Sequence, residues 1–546
     1  MKFPVIFLWA SLASCSSQAQ EWSDSSRWLF ETLNARFADQ AGDYQGASQK
    51  VNRIASESKQ YDVYSYAFEL SMNNSNFAEA ESIASQWLEH FPNDDDAELA
   101  LLRVLFQLHK SKEIATHAEA LLRRSPEPQI IAQISRMAGD YPERIELFQD
   151  LAKRFPKNPY LFYYLGLIAK EQGQVTVALD AFDRALALDG NWRKLELMRV
   201  EVLSEIGELK KALAIIDRLR QRAPNDPELL SLNIDILADH YQWEKALPLA
   251  EKWLQLQPKE PRIMQLLAWL YSQSGQSDKA RHYYDQLLQN QQIEEESYNF
   301  HMAQLLERDG KEEEAKRFLE KINPKSQLLM LGQQESALQA LRRGQLQQGR
   351  EKFARLREQF PDYALEFYLL EIQQLLQQEQ DVGELVAEAE KRFPRQSSLQ
   401  LLLAENAARQ KDFAKAEALY LQILEQDANN IDALNGYGYL LLRQKERQQD
   451  GAELIRAAID AYPSAPAIQD SYAQLLAQEG KLKEALQWQR RAYAGFRDGE
   501  IVAHYIDLLM RNQQSDLARE IYSYEIKGQP KHHDLLQMGE KYKLTP

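Results

Sequence analysis

Residues 158–190 read NPYLFYYLGLIAKEQGQVTVALDAFDRALALDG, and the spacing within this stretch decides the fold. Two runs carry apolar and small residues at helical intervals: Phe162, Leu165 and Gly166 in the first, then Ala178, Phe182 and Ala185 in the second. Each run is a helix with one stripe to bury. The turn GQVTV between them is too short for anything but an antiparallel pair.

The pair recurs. With the small residue that opens the second helix as a ruler, the chain marks off Ala178, Ala212, Ala246, Ala280, Ala315, Gly349, Val382, Ala416, Ala452, Ala485 and Ala518, in steps of 33 to 36 residues. Upstream the ruler passes through Ala47, Ala80, Ile114 and Arg144, with one short step of 30. That makes about fifteen helical hairpins, and 12 of the 15 markers are Ala or Gly. A small residue is needed where two helix backbones approach closely. Twelve residues past a marker, Pro92, Pro126, Pro156, Pro224, Pro258, Pro361 and Pro394 end the second helix. Stretches such as Asn225-Asp226-Pro227-Glu228 start the next one, with a capping side chain, a proline fit for the first turn and an acid at the positive end of the dipole.

This pattern resembles the tetratricopeptide repeat, with Phe162 in place of Trp and Ala169 where Tyr is usual. The resemblance implies an all-α, right-handed superhelical solenoid stabilised by packing between neighbouring repeats. Divergent repeats fill 22–157, the array proper runs over 158–525, and 526–546 forms a C-terminal capping helix. Such stacking lets an exported chain manage without disulfides, since stability accumulates with repeat number.

Composition limits the partners. The 546 residues carry a net charge of -16 and 27% charged side chains, with 21 Gly, 19 Pro and one Cys. There is no basic stripe to displace counterions from nucleic acid, nor a basic patch to grip anionic lipid. The single cysteine, Cys15, excludes an internal disulfide.

Cys15 closes the apolar run of MKFPVIFLWASLASCSSQAQ, a segment too short to span a bilayer and shaped like a secretory signal. Leu12-Ala13-Ser14-Cys15 looks like a bacterial lipobox. That resemblance implies a signal peptide over 1–14, an acylated Cys15 and a short tether over 15–21, with Ser16 favouring outer-membrane sorting. The alternative is cleavage after Ala19, which would release a periplasmic protein.

Catalytic motifs are absent from the sequence: it has no P-loop, HExxH or GxSxG. His532-His533 are adjacent on a polar helix and do not share a face, so a metal site is disfavoured. The glycines Gly436 and Gly438 in GYGY suggest a nucleotide loop, but Gly438 falls on the small-residue packing position of its helix. Asn93 to Asp96 follow Pro92 between helices and read as a cap, not a calcium loop. Glu294 to Glu296 and Glu312 to Glu314 read as solvated helix starts. No cofactor, metal or small-molecule substrate is expected.

The first helix of each tetratricopeptide pair lines the concave face. The repeat register places Tyr160, Tyr163, Tyr164, Met198, Trp269, Phe300, His301, Phe367, Tyr368 and Tyr439 there. Aromatics on such a wall suit extended or partly unfolded polypeptide, although each could instead pack between helices. Tyr163 and Leu167 stand where chaperone-tail clamps use Lys and Asn, which argues against that subfamily.

A narrower resemblance lies in Asn429 to Tyr522, in NIDALNGYGYLLL, AIQDSYAQLLAQEGKLKEALQWQRRA and EIVAHYIDLL. With the lipobox and the long array, these are similar to proteobacterial outer-membrane lipoproteins of the LbcA type. The chain has Asp470-Ser471-Tyr472-Ala473 where that family usually has Asp-Ser-x-Gly-Trp. The resemblance implies an adaptor that brings cell-wall hydrolases to a periplasmic carboxyl-terminal processing protease. The first helical segment, Glu21 to Gln40 with Trp22, Trp28 and Phe30, would either cap the array or dock a partner. A scaffold lipoprotein for exopolysaccharide export or pilus assembly is the alternative. A glycosyltransferase with a repeat arm would need a nucleotide-sugar domain, for which the period leaves no room.

Overall fold

The computed structural model describes residues 24–378 and 380–545. The expected signal, Cys15 and tether lie outside them. Among the described residues there are 31 α-helices and no strand. They pair into fifteen hairpins, from Asp24–Gln40 with Tyr44–Ser58 to Gly499–Arg511 with Ser515–Gly528, followed by a last helix, His533–Tyr542. The fold is a tandem helical-hairpin solenoid, as the period predicts. It divides into two compact units, one ending at Trp192 and the other beginning at Arg193.

Local chemistry sets the helix starts. Asp226 accepts hydrogen bonds from the amides of Glu228 and Leu229, with Pro227 in the first turn. Asp94 accepts from the Ala97 amide at 2.8 Å, so the Asn93 to Asp96 stretch is a cap. These bonds satisfy amides that the helix itself leaves without partners.

The ruler positions are where the helices of a pair touch. Ala47, Ala80, Ala178, Ala212, Ala246, Ala280, Ala315, Ala416, Ala485 and Ala518 are all fully buried. Gly166 faces the Phe182 ring so closely that an added Cβ would lie 2.2 Å from it. Gly438 faces the Gly451 carbonyl, where an added Cβ would lie 3.1 Å away. Both glycines therefore serve packing, and the GYGY stretch is a helix contact.

Two markers are displaced: Arg144 is the half-buried first residue of the Arg144–Arg154 helix. Val382 caps the Gly383–Arg392 helix instead of opening its packed face, and the buried positions are Leu385 and Ala389. The turn before this helix carries extra residues, so counting back from Val382 misplaces the preceding helix by two residues, about half a turn. Its consequence falls on the concave face.

Candidate protein-binding surfaces

In the first unit, the helices Tyr61–Asn73, Asp95–Gln107, Pro128–Met137 and Pro159–Glu171 open successive hairpins, and each packs against the next. Their common face contains a cleft of about 610 Å³ whose walls include Tyr61, Phe68, Arg103, Gln133 and Arg136. The Tyr61 hydroxyl donates to Asp96 at 2.6 Å, and its ring meets Trp87 edge-on at 5.2 Å. The bond to Asp96 holds the Tyr61 hydroxyl protonated far beyond its usual range, followed by the effect of burial. Arg103 spans the cleft wall, bonded to Glu69 at 2.7 Å and lying 5.7 Å over the Phe68 ring.

The expected aromatic group continues this face. Tyr163 and Tyr164 meet edge to face at 5.0 Å, and all three of Tyr160, Tyr163 and Tyr164 are half-buried. Burial raises the Tyr164 pKa, Tyr163 adds to the rise and Arg136 of the cleft opposes it. Tyr164 therefore stands beside the cleft wall. Trp192 completes the group, 5.1 Å from Tyr160 and 4.7 Å from Tyr163. Sequence spacing does not find Trp192, because it lies in a connection between hairpins. Tyr61, Phe68 and Arg103 lie in the repeats before 158, for which no wall residue is assigned, although YDVYSYAF is as rich in aromatics as the stretch at 158.

On the opposite account stands the first helix, Asp24–Gln40. It buries Ala35 and is tied to the next helix by Arg27 with Glu57 and Glu31 with Arg53, each pair at 2.8 Å. Leu29, Phe30, Leu33 and Phe37 share one side and are 64, 52, 45 and 66% exposed. A cap needs a polar outer face. This helix has an apolar one.

In the second unit the expected residues are scattered. Trp269 is exposed, and Met198 and Phe300 are half-buried. His301 stacks on Tyr284 with ring centres 4.9 Å apart, and burial lowers its pKa. The Tyr439 hydroxyl lies 3.2 Å from His504 Nε2, while His504 Nδ1 lies 2.8 Å from Asp470 Oδ2. Burial alone would lower the His504 pKa, but the charge and hydrogen bond of Asp470 lift it to about 9. Asp470, in the Asp-Ser pattern, therefore serves an ion pair between neighbouring hairpins.

Phe367 and Tyr368 do not line the concave face. Each is 1% exposed, in the core between Phe353, Ile372 and Leu399. Because of the longer turn near Val382, they take the core positions of Leu161 and Phe162, and Leu369 and Leu370 take those of Tyr163 and Tyr164. The histidine pair is divided as well: the His532 ring packs against Gly499, and His533 is exposed. Among the described residues, no cluster of His, Cys, Asp or Glu could hold a metal, and no helix is long and apolar enough to cross a membrane.

Stacked helical hairpins with an aromatic inner wall define a protein-interaction scaffold, and this chain is a tetratricopeptide-repeat protein. Two family profiles, both described as tetratricopeptide repeat, match it: one over residues 169–233 and 237–298, the other over 136–191, 384–431, 401–466 and 438–500. The TPR repeat-containing protein PA4667 of Pseudomonas aeruginosa is 29% identical over 166 residues, a match that spans 30% of this chain and 28% of that protein. Among solved structures, yeast Tom70 is 12% identical with a TM-score of 0.34, covering 96% of this chain and all 100% of that one. Pseudomonas aeruginosa PilF is 15% identical with a TM-score of 0.27, covering 39% of this chain and 97% of that one.

Proposed function

We propose that this protein is an adaptor, lipid-anchored through Cys15 at the periplasmic side of the outer membrane, that presents clients such as cell-wall hydrolases to a carboxyl-terminal processing protease. The observation that carries this reading is that the first unit has a cleft and an exposed apolar helix side with no residue in common. The cleft belongs with the aromatic wall from Tyr61 to Tyr164. The apolar side is that of the Asp24–Gln40 helix. An adaptor needs two surfaces, because it acts by raising the effective concentration of one partner near another. The inner wall suits an extended client, whose side chains gain contact area against rigid rings. The apolar helix side, next to the tether, suits a folded partner held near the membrane.

The test is recovery of the full-length protein from native envelopes. A processing protease and its hydrolase clients are expected to come with it. Tyr160→Ser, Tyr163→Ser and Tyr164→Ser together should reduce client recovery at least tenfold while protease recovery and helical content stay unchanged. Leu29→Ser with Phe37→Ser should do the reverse. Recovery of export or pilus components alone, or loss of both partners in either variant, would defeat the adaptor reading.

A further inference from the structure

The second unit touches itself across almost its whole length. It comprises ten hairpins, from Arg193–Glu205 with Leu209–Arg222 to Gly499–Arg511 with Ser515–Gly528. The turn between the two helices of the first, Ile206 to Glu208, is not exposed like its counterparts. An added Cβ at Gly275, Gly310, Gly344 or Gly480, the equivalent turn glycines, would meet nothing within 4 Å. At Gly207 it would lie 2.6 Å from the Tyr524 hydroxyl and 3.0 Å from Ile521. This turn is filled from the far end of the chain.

The bonding is specific. The Tyr505 hydroxyl donates to the Ile206 carbonyl at 2.9 Å, across 299 residues, and the Tyr524 hydroxyl donates to the Gly207 carbonyl at 2.9 Å, across 317. Carbonyls at a helix C-terminus lack intrahelical partners and are normally left to water or to local caps. Here two buried tyrosines supply the donors. The Lys210 amide donates to the Glu520 carboxylate at 2.8 Å, placing an anion at the start of the next helix.

The second hairpin's turn joins the same contact. Arg497 donates to the Asp239 carbonyl at 3.1 Å, His240 meets the Tyr524 ring edge-on at 4.8 Å, and the Tyr241 ring fills the space beside Gly528. The contact also contains a weak point. His240 and Glu525 are fully buried, and one Glu525 oxygen has no hydrogen-bond partner among the described residues. An uncompensated buried carboxylate oxygen opposes closure, which favours a contact that can reopen.

We infer that the Gly499–Gly528 hairpin is a clasp that closes the second unit into a ring on the 206–208 and 239–241 turns, and that a polypeptide reaches the inner face of this ring when the clasp opens. The ring follows from the contacts themselves; only the identity of what enters rests on the polypeptide-binding reading above.

The test uses the full chain with Cys15→Ser, so that only introduced thiols react. Lys210→Cys and Glu520→Cys place one thiol on each side of the clasp, and a short, reductively cleavable bis-maleimide should link them within one molecule. The probe is reduced, carboxymethylated α-lactalbumin, a permanently unfolded chain. Capture of this probe should be at least tenfold slower in the linked protein and recover when the linker is cleaved. Tyr505→Phe with Tyr524→Phe should accelerate capture several-fold with helical content unchanged. Failure to form the intramolecular link, while both thiols react with a monofunctional maleimide, would overturn the clasp. Equal capture rates in linked and cleaved protein would overturn the gate and leave polypeptide binding standing. A probe bound by neither form would overturn the gate and the polypeptide-binding reading together.

Discussion

Arg357→Ala should lower the stability of the second unit by about 3–5 kcal/mol, the cost of stranding a buried charge. Arg357 is 5% exposed and Glu371 is not exposed at all; the guanidinium donates to the carboxylate and lies 4.2 Å over the Tyr368 ring. Burial pushes the Glu371 carboxyl up, against the opposing pull of Arg357 and then of Arg350, whose Nε lies 3.7 Å from it. Removing Arg357 deprives the carboxylate of its main counter-charge and leaves a cavity under Tyr368. The deficit should shrink as pH falls and Glu371 takes up a proton. Arg357→Met with Glu371→Leu should regain most of the loss, because a matched apolar pair has no desolvation cost to offset. Hydrogen exchange at the Leu346–Gln359 and Ala364–Gln377 helices of the three proteins at two pH values measures both effects. A loss under 1 kcal/mol for Arg357→Ala would mean that water reaches the carboxylate.

The same residues mark where sequence reading succeeded and failed. The hairpin count was legible because each repeat repeats the same close approach: Ala178, Ala212 and Ala246 are small for one reason and buried to the same degree. The aromatic wall was legible at Tyr160, Tyr163 and Tyr164, where turn length follows the period. At Phe367 and Tyr368 a longer turn broke the count by two residues, and an error of about half a helical turn exchanges core for surface. The local pattern could not warn of it, since Leu369 and Leu370 are as apolar as Phe367 and Tyr368.

Contacts across some 300 residues were beyond any local pattern. Tyr505 and Tyr524 look like ordinary repeat residues until the solenoid has curved far enough to bring Ile206 and Gly207 to them. That curvature sums small rotations contributed by every interface between hairpins. A single interface loosened in mid-array, as by Arg357→Ala, would therefore be felt at the clasp as well as locally. This ties the stability of the core between Phe353 and Leu399 to access at the ring.

Two histidines should give the second unit opposite weaknesses at opposite ends of the pH range. Burial, and then the nearby Arg497, lower the His240 pKa from 6.5 to about 4. The folded state therefore refuses a proton that the unfolded chain accepts, and stability is lost as pH falls from 6.5 toward 4. His504 is the reverse: held at about 9 by Asp470 despite its burial, it contributes stability that is complete below pH 6.5 and lost as pH rises through 9. Each shift corresponds to about 3 kcal/mol at its limit. Because long repeat arrays do not unfold as one step, hydrogen exchange localised to the Pro227–Asp239 and Gly499–Arg511 helices is the appropriate readout. Protection at both helices should fall on the acid side, where a charged His240 would face Arg497 across the clasp, and His240→Gln should abolish that fall. Asp470→Asn should abolish the alkaline fall near His504 and leave the acid one. If His240→Gln leaves the acid limb unchanged, the proton is taken up elsewhere and the clasp has no acid trigger; if the limb vanishes, mild acidification opens the ring without any partner.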